Sequence, residues 1–330
     1  MASTICRTSI LKRFRPWRPV PKYKSDDAAV TLTLTAKRME KRAFSSSSGA
    51  TGIVKVKDKN KIVDLRSDTV TLPSQAMINT VSSAVVGDDV MGEDPTVLEL
   101  ERFMAEKFGK EKGLFLPTGT MANLVALLSH CDKTRASEII IGSGSHINLW
   151  EGGNASSIGG IHTRQIEEDE NTAQLVEDDI IDCVRNGTDD HWPVTSLLCL
   201  ENSHNMCGGV ALPKEYFDRM GRLAHSEKMT NVNVHVDGAR IFNAAVALEI
   251  DVKDLCENVD SVSICLSKGL GAPLGSVLVG GEDFIKLAKS ARKRCGGGMR
   301  QVGVVASMGL FAVQNNVERL AEDHIRAKKV

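Results

Sequence analysis

Short apolar runs recur near residues 113–117, 138–142, 161–166, 196–201, 232–237, 261–266 and 275–280, with helical patterns in most of the intervals. Runs such as EIIIG at 138–142 are apolar at consecutive positions, so a strand made from them has to be covered on both faces. With the alternation, this predicts an α/β domain: a mainly parallel sheet with helices on both sides. The last two runs are too close for a helical crossover and are expected to pair antiparallel. Upstream, Asp94-Pro95 supplies an N-cap and a first-position proline for a helix. Its apolar stripe would be Val97, Leu98, Leu100, Phe103, Met104 and Phe108. There is no internal repeat.

The polar residues gather where these runs stop. SICLSKGLGAPLG (263–275) ends its run in Ser-Lys-Gly at Lys268, and NVHVDGAR (233–240) ends in Asp237, with Arg240 in the following turn. An amine and a carboxylate at the ends of two buried strands suit pyridoxal 5'-phosphate, which needs a lysine to form a Schiff base and an acid to pair with its ring nitrogen. Alone, such a lysine is more often a solvated loop cation, and such an aspartate an N-cap. LFLPTGTMAN (114–123) places Gly119 and Thr120 at a strand-to-helix turn, where backbone N–H groups attract a phosphate, although Thr-Gly-Thr also makes an ordinary turn. His146 follows the run at 138–142 and could stack on a cofactor ring or cap a helix. Glu201, Asn202, His204 and Asn205 close the run at 196–201. Ligands of open α/β sheets bind at strand ends of this kind.

Taken in order, DLRSDTVTLP (64–73), VGDDVMGEDPTVLELE (86–101), HVDGARIFNA, CLSKGLGAPLGSVLVG and GGGMRQ (296–301) resemble the low-specificity L-threonine aldolases, from about Val63 to the end of the chain. The resemblance implies a fold-type I pyridoxal phosphate-dependent transferase-like large domain. Lys268 would carry the cofactor, Asp237 would pair with its ring nitrogen, His146 would stack over the ring, and Gly119 and Thr120 would contact the phosphate. Arg240 would lie near the ring oxygen and the substrate carboxylate, which Ser67 would help bind. His204 would sit near the substrate β-hydroxyl as the base, or as the residue orienting a water that acts as base. The implied reaction is retro-aldol cleavage of L-threonine or L-allo-threonine to glycine and acetaldehyde. The implied assembly is a homodimer or homotetramer, with Arg300 in GGGMRQ a candidate for the shared interface.

Some features depart from this pattern. Met91 and Trp150 stand where such aldolases often carry an aromatic residue and a tyrosine. Residues 301–330 read as the start of a long helix leading to a small C-terminal domain that this sequence does not contain, together with its carboxylate-binding arginine. Two other readings follow: a different fold-type I lyase such as a β-eliminating enzyme, which Ser203-His204-Asn205 and DLRSDTVT argue against, and a chain that binds the cofactor or serves as a non-catalytic subunit.

Composition sets the outer limits. With 330 residues, 42% hydrophobic and 25% charged, the chain has ordinary globular composition, enough for one large domain or two. The formal net charge of −1 hides an asymmetry, because residues 1–44 hold 11 Lys or Arg against 3 acids. The remainder, near −9, carries no nucleic-acid footprint, and no apolar stretch approaches the ~20 residues of a membrane span. Eight scattered cysteines show neither a CxxC pair nor zinc spacing, so no metal site is expected and reduced thiols are the simplest reading. Basic, acid-poor residues 1–44 resemble a mitochondrial transit peptide with processing after Phe44, although Pro16, Pro19 and Pro21 limit any amphipathic helix. A matrix location is expected, with the cytosol as the alternative. Residues 45–61 read as a flexible lead-in and 62–300 as the large cofactor-binding domain.

Overall fold

In a computed structural model, the described residues are 64–132, 136–230 and 232–330. The expected transit peptide and lead-in lie outside them. Seven strands form one sheet in the order β1-β7-β6-β5-β4-β2-β3. The strands are β1 Lys112–Leu116, β2 Ser137–Gly142, β3 His162–Ile166, β4 Val194–Glu201, β5 Asn233–Asp237, β6 Ser261–Cys265 and β7 Ser276–Gly280. β3, β2, β4, β5 and β6 are parallel neighbours. β7 runs antiparallel to both β6 and β1, so it is the one reversed strand of this sheet. Every residue of β2, β6 and β7 is buried, as consecutive apolar runs require when helices cover both faces.

The helix Pro95–Phe108 starts where its sequence says it should. Asp94 accepts from the N–H groups of Thr96 and Val97, and Gly109 stops the helix at a left-handed φ of 62°. Val97, Leu100, Met104 and Phe108 face the core, with Phe103 half-buried beside them. Leu98 does not join the expected stripe. It is 49% exposed, because its 100° step from Val97 carries it off the buried face.

Asp94 has a second task the sequence did not disclose. Its Oδ2 also accepts from Gly303 N at 2.8 Å and Gly87 N at 3.3 Å, tying three segments together while only 1% exposed. Residues 301–330 form two helices, Gly303–Asn315 and Leu320–Ala327, where one long helix was expected. The break is held by Asn316 Nδ2 donating to Leu270 O at 2.7 Å and by Leu320, which is fully buried. These contacts press the break onto the loop between β6 and β7. Among the described residues no helix is long and apolar enough to cross a membrane.

Asp94→Ala would remove a helix cap and leave Gly303 N–H buried without a partner. We expect a loss of about 3 kcal/mol, measurable as a lower midpoint in chemical denaturation, with Asp94→Asn recovering part of it.

Candidate active site

The carboxyl ends of the parallel strands form one edge of the sheet, and the residues singled out from the sequence gather there. Asp237 is the last residue of β5, and Glu201, the last of β4, lies opposite it in register. Both are buried. Burial raises the pKa of Glu201, and the neighbouring Asp237 charge raises it further. The offsetting donors are backbone groups: Glu201 accepts from His146 N at 2.7 Å and from Asn205 N at 3.0 Å. Asp237 accepts from Ala239 N at 3.1 Å and from Asn123 Nδ2 at 2.9 Å. Asn202 faces away and exchanges both of its amide hydrogen bonds with the backbone of Leu212, so its role is to hold the loop.

His146 begins a short helical turn after β2, with its side chain 33% exposed. Its Nδ1 lies 3.0 Å from Glu151 Oε1, and that bond raises the imidazole pKa against the opposing effect of burial. Ligand atoms of His146, Glu151 and Asp237 lie within 4.8 Å of one another. Their inner side is occupied by amides, since Asn123 Nδ2 also donates to Glu151 at 2.8 Å and Asn154 Nδ2 donates to it at 3.2 Å.

Lys268 lies in the loop from β6 to β7, three residues beyond the end of β6, and is half-buried. Its carbonyl accepts from Thr71 Oγ1 at 2.7 Å and from Gly271 N at 2.9 Å, fixing the backbone while the amine takes no carboxylate partner among the described residues. The lysine's charge reaches both Cys265 and His146 and opposes their upward pKa shifts. The loop closes at Gly275, whose φ of 110° and contact with the Phe115 ring leave no room for a side chain.

Arg240 is not paired with Asp237. Its guanidinium grips Asp68 through Nη2 at 2.6 Å and Nε at 3.0 Å, so DLRSDTVT docks beside β5. Ser67 caps the short turn that carries Asp68 and accepts from Thr69 N, which brings Ser67 next to Arg240's partner. At the helix Gly119–His130 the cap is Thr118, while Thr120 is exposed in the first turn. A side chain at Gly119 would collide with Cys265 Sγ at 2.5 Å. This glycine is therefore required for seating the helix against β6, whatever ligand lies outside. Arg300 is exposed and pairs with Asp88 of its own chain at 2.7 Å. Met91 and Trp150 are exposed as well.

His204 is 3% exposed, and its Nε2 lies 3.0 Å from Glu168 Oε1. Glu168 was not singled out from the sequence, because it stands in an acidic stretch after β3 that reads as a solvated turn. Its carboxylate also accepts from Gly144 N at 3.1 Å and from Ser143 Oγ at 3.1 Å. With Nε2–H directed at Glu168, the buried Nδ1 of His204 is left without a partner. Burial works against charge on this ring, but the Glu168 hydrogen bond and the Glu201 and Glu168 charges outweigh it and raise the pKa. Glu168 shifts downward: burial opposes its charge and the His204 bond prevails. Asn123 was missed as well, since an asparagine inside an apolar helix carries no motif.

A lysine amine with no carboxylate partner among the described residues, a buried aspartate on the next strand, a half-exposed imidazole and a helix N-terminus share one edge of a mainly parallel sheet. That combination defines a class, the fold-type I pyridoxal phosphate-dependent enzymes. The family model described as beta-eliminating lyase matches residues 64–330. The chain is 50% identical over 269 residues to the probable low-specificity L-threonine aldolase 2 of Arabidopsis thaliana, covering 81% of this chain and 74% of the relative. It is 47% identical over 274 residues to the low specificity L-threonine aldolase of Escherichia coli (strain K12), covering 81% and 77%. Among solved structures, a putative L-allo-threonine aldolase from Listeria monocytogenes has the same fold, with a TM-score of 0.63 at 24% identity over 74% of this chain and 66% of that one. The threonine aldolase of Leishmania major gives 0.64 at 17% identity over 77% and 73%. This chain belongs to the low-specificity L-threonine aldolase family.

The Glu168–His204 pair makes a pH prediction. The raised imidazole pKa stabilises the fold below the ordinary imidazole value of about 6.5, and that stabilisation is lost as pH rises through the raised value. The lowered carboxyl pKa acts above the ordinary carboxylate range and is lost as pH falls through the folded value. We expect Glu168→Gln to move the NMR titration of His204 downward; an unchanged midpoint would show that the pair is not electrostatically linked.

Proposed function

We propose that this chain is a pyridoxal phosphate-dependent aldehyde-lyase that cleaves L-threonine and L-allo-threonine to glycine and acetaldehyde. The observation that carries the reading is the placement of Lys268 and Asp237 at the ends of adjacent strands β6 and β5. The donor set fits the cofactor: an amine without an acid partner among the described residues, a carboxylate already oriented by Asn123 and Ala239, and a helix start at Gly119 with Thr120 exposed.

In this reading Lys268 would hold the cofactor through its amine, and Asp237 would hold the ring nitrogen. His146, braced by Glu151, would cover the ring face, and the Gly119–Thr120 turn would take the phosphate. When bound, the cofactor supplies the electron sink for the pair released as the Cα–Cβ bond breaks. Ser67 and Arg240 bind the substrate carboxylate, and the Asp68 grip keeps the guanidinium aligned for that contact. His204 handles the β-hydroxyl proton. With Nε2–H committed to Glu168, the buried Nδ1 is the nitrogen left to accept it, which it would do through one water. Loss of that proton makes the carbonyl of acetaldehyde as Cα–Cβ breaks, and a proton delivered to Cα completes glycine.

Two further parts of the reading concern place and assembly. The basic, acid-poor residues 1–44 support import into the mitochondrial matrix, and the exposure of Met91, Trp150 and Arg300 supports a homo-oligomer.

The test is acetaldehyde release from L-threonine by the purified chain with added pyridoxal phosphate. Lys268→Ala should abolish it, and His204→Asn should lower kcat by about 10²–10⁴-fold. Absence of acetaldehyde from the unaltered, cofactor-loaded chain would refute the assignment, and pyruvate from serine in its place would favour β-elimination.

A further inference from the structure

Two histidines, the half-buried His130 and the buried His235, take no part in the chemistry above. We propose that Asn123, His235, Ser261 and His130 form a one-way hydrogen-bond relay beneath the sheet that orients Asp237, making them positioning residues for the ring-binding acid. This rests on the reading of Asp237 given above.

The placement follows from two periodicities. Asn233, His235 and Asp237 occupy alternate positions of β5 and so line one face. Ser261 and Ser263 of β6 stand opposite His235 and Asp237 in register. Asn123 and His130 lie seven residues apart on the helix Gly119–His130, two turns along one side. The helix lies on that polar stripe, which runs the length of β5, about 13 Å.

The contacts are continuous. Asn233 Nδ2 lies 3.1 Å from His130 Nδ1, and His130 Nε2 lies 2.7 Å from Ser261 Oγ. Ser261 Oγ is 2.9 Å from His235 Nδ1, and His235 Nε2 is 3.2 Å from Asn123 Oδ1. Asn123 Nδ2 then reaches Asp237 Oδ2 at 2.9 Å and Glu151 Oε1 at 2.8 Å.

Chemistry allows this chain only one direction. The two carboxylates accept, so the Asn123 nitrogen faces them and its oxygen faces back, where Ser263 Oγ also donates at 2.6 Å. An amide oxygen cannot donate, so His235 carries its proton on Nε2. Burial holds the pKa of His235 at about 4, and burial with the neighbouring His235 holds that of His130 at about 3, so both rings are neutral. His235 Nδ1 is therefore bare and takes the Ser261 proton. Ser261 has no second proton, so His130 donates from Nε2, and its bare Nδ1 accepts from Asn233. His130 is further held by stacking on Phe284, with centroids 4.3 Å apart. Every link donates towards Asp237, and aligned links polarise one another.

The experiment has two arms. In cofactor-free protein, ¹⁵N NMR should find both His130 and His235 as neutral Nε2–H tautomers between about pH 5 and 8. An Nδ1–H tautomer or a charged ring at either position would overturn the relay. In the second arm, pyridoxal phosphate is titrated into the full chain, following fluorescence and the circular dichroism of the visible band. Asn123→Asp, isosteric but without the N–H, should weaken binding about 10-fold or more. His235→Leu should weaken it too, and His235→Gln, which keeps an N–H for Asn123, should recover most of the loss. Ser261→Ala, three links from the acid, should change affinity and dichroism in the same direction by less. Wild-type affinity and dichroism in folded Ser261→Ala and His235→Leu would overturn the proposal. If His235→Leu does not fold, Ser261→Ala and the NMR arm decide. If the unaltered chain takes no cofactor, the functional reading fails, and the NMR arm still decides the relay.

Discussion

Two carboxylates buried side by side govern the architecture of this site. Glu201 and Asp237 end adjacent parallel strands in register and are almost wholly withdrawn from water. An unpaired buried anion costs several kcal/mol, so the chain around them is arranged to supply donors. His146 and Asn205 turn their backbone N–H groups onto Glu201, while Ala239 and Asn123 serve Asp237. The loop after β2 is thereby fastened to the end of β4. That is what brings an imidazole from one crossover to the edge built by two others.

The reversed strand β7 has a corresponding role on the other side. Because β6 and β7 are antiparallel neighbours, their connection turns back over the same strand ends instead of leaving through a helix. Lys268 lies in that turn. Thr71 from the DLRSDTVT segment donates to the Lys268 carbonyl, and Asn316 from the break between the last two helices donates to the Leu270 carbonyl two residues on. The glycines close to it are packing requirements. Gly269 meets Leu320, and Gly275 meets Phe115. The turn that carries the lysine is thus held by segments from both ends of the described chain, while the amine has no carboxylate partner among the described residues.

Electrostatics in the site work through pairs in which a carboxylate fixes a basic side chain. Glu151 braces His146, Glu168 braces His204, and Asp68 braces Arg240. In each pair the bracing acid lies far from its partner in sequence or in an unremarkable context. An acid bonded to one imidazole nitrogen decides which nitrogen is left bare, and the fold thereby sets proton inventory as well as position.

Much of this was legible in the chain. Apolar runs at consecutive positions dictated doubly covered strands, and the spacing of the last two runs dictated their antiparallel pairing, because both effects are local. Asp94-Pro95 announced a helix start for the same reason, and the ordered motifs pointed to Lys268, Asp237, His146 and His204. What a residue touches across the sheet was not legible. Leu98 faces water, Arg240 is committed to Asp68, and the last thirty residues break into two helices. Glu168 and Asn123 became site residues only when register and crossovers brought them to their partners. Sequence alone determines which groups stand at strand ends, since period and turn chemistry act over a few residues. Tertiary structure decides which of those groups share a proton, since hydrogen bonding requires partners within about 3 Å and the chain reaches that distance only by folding.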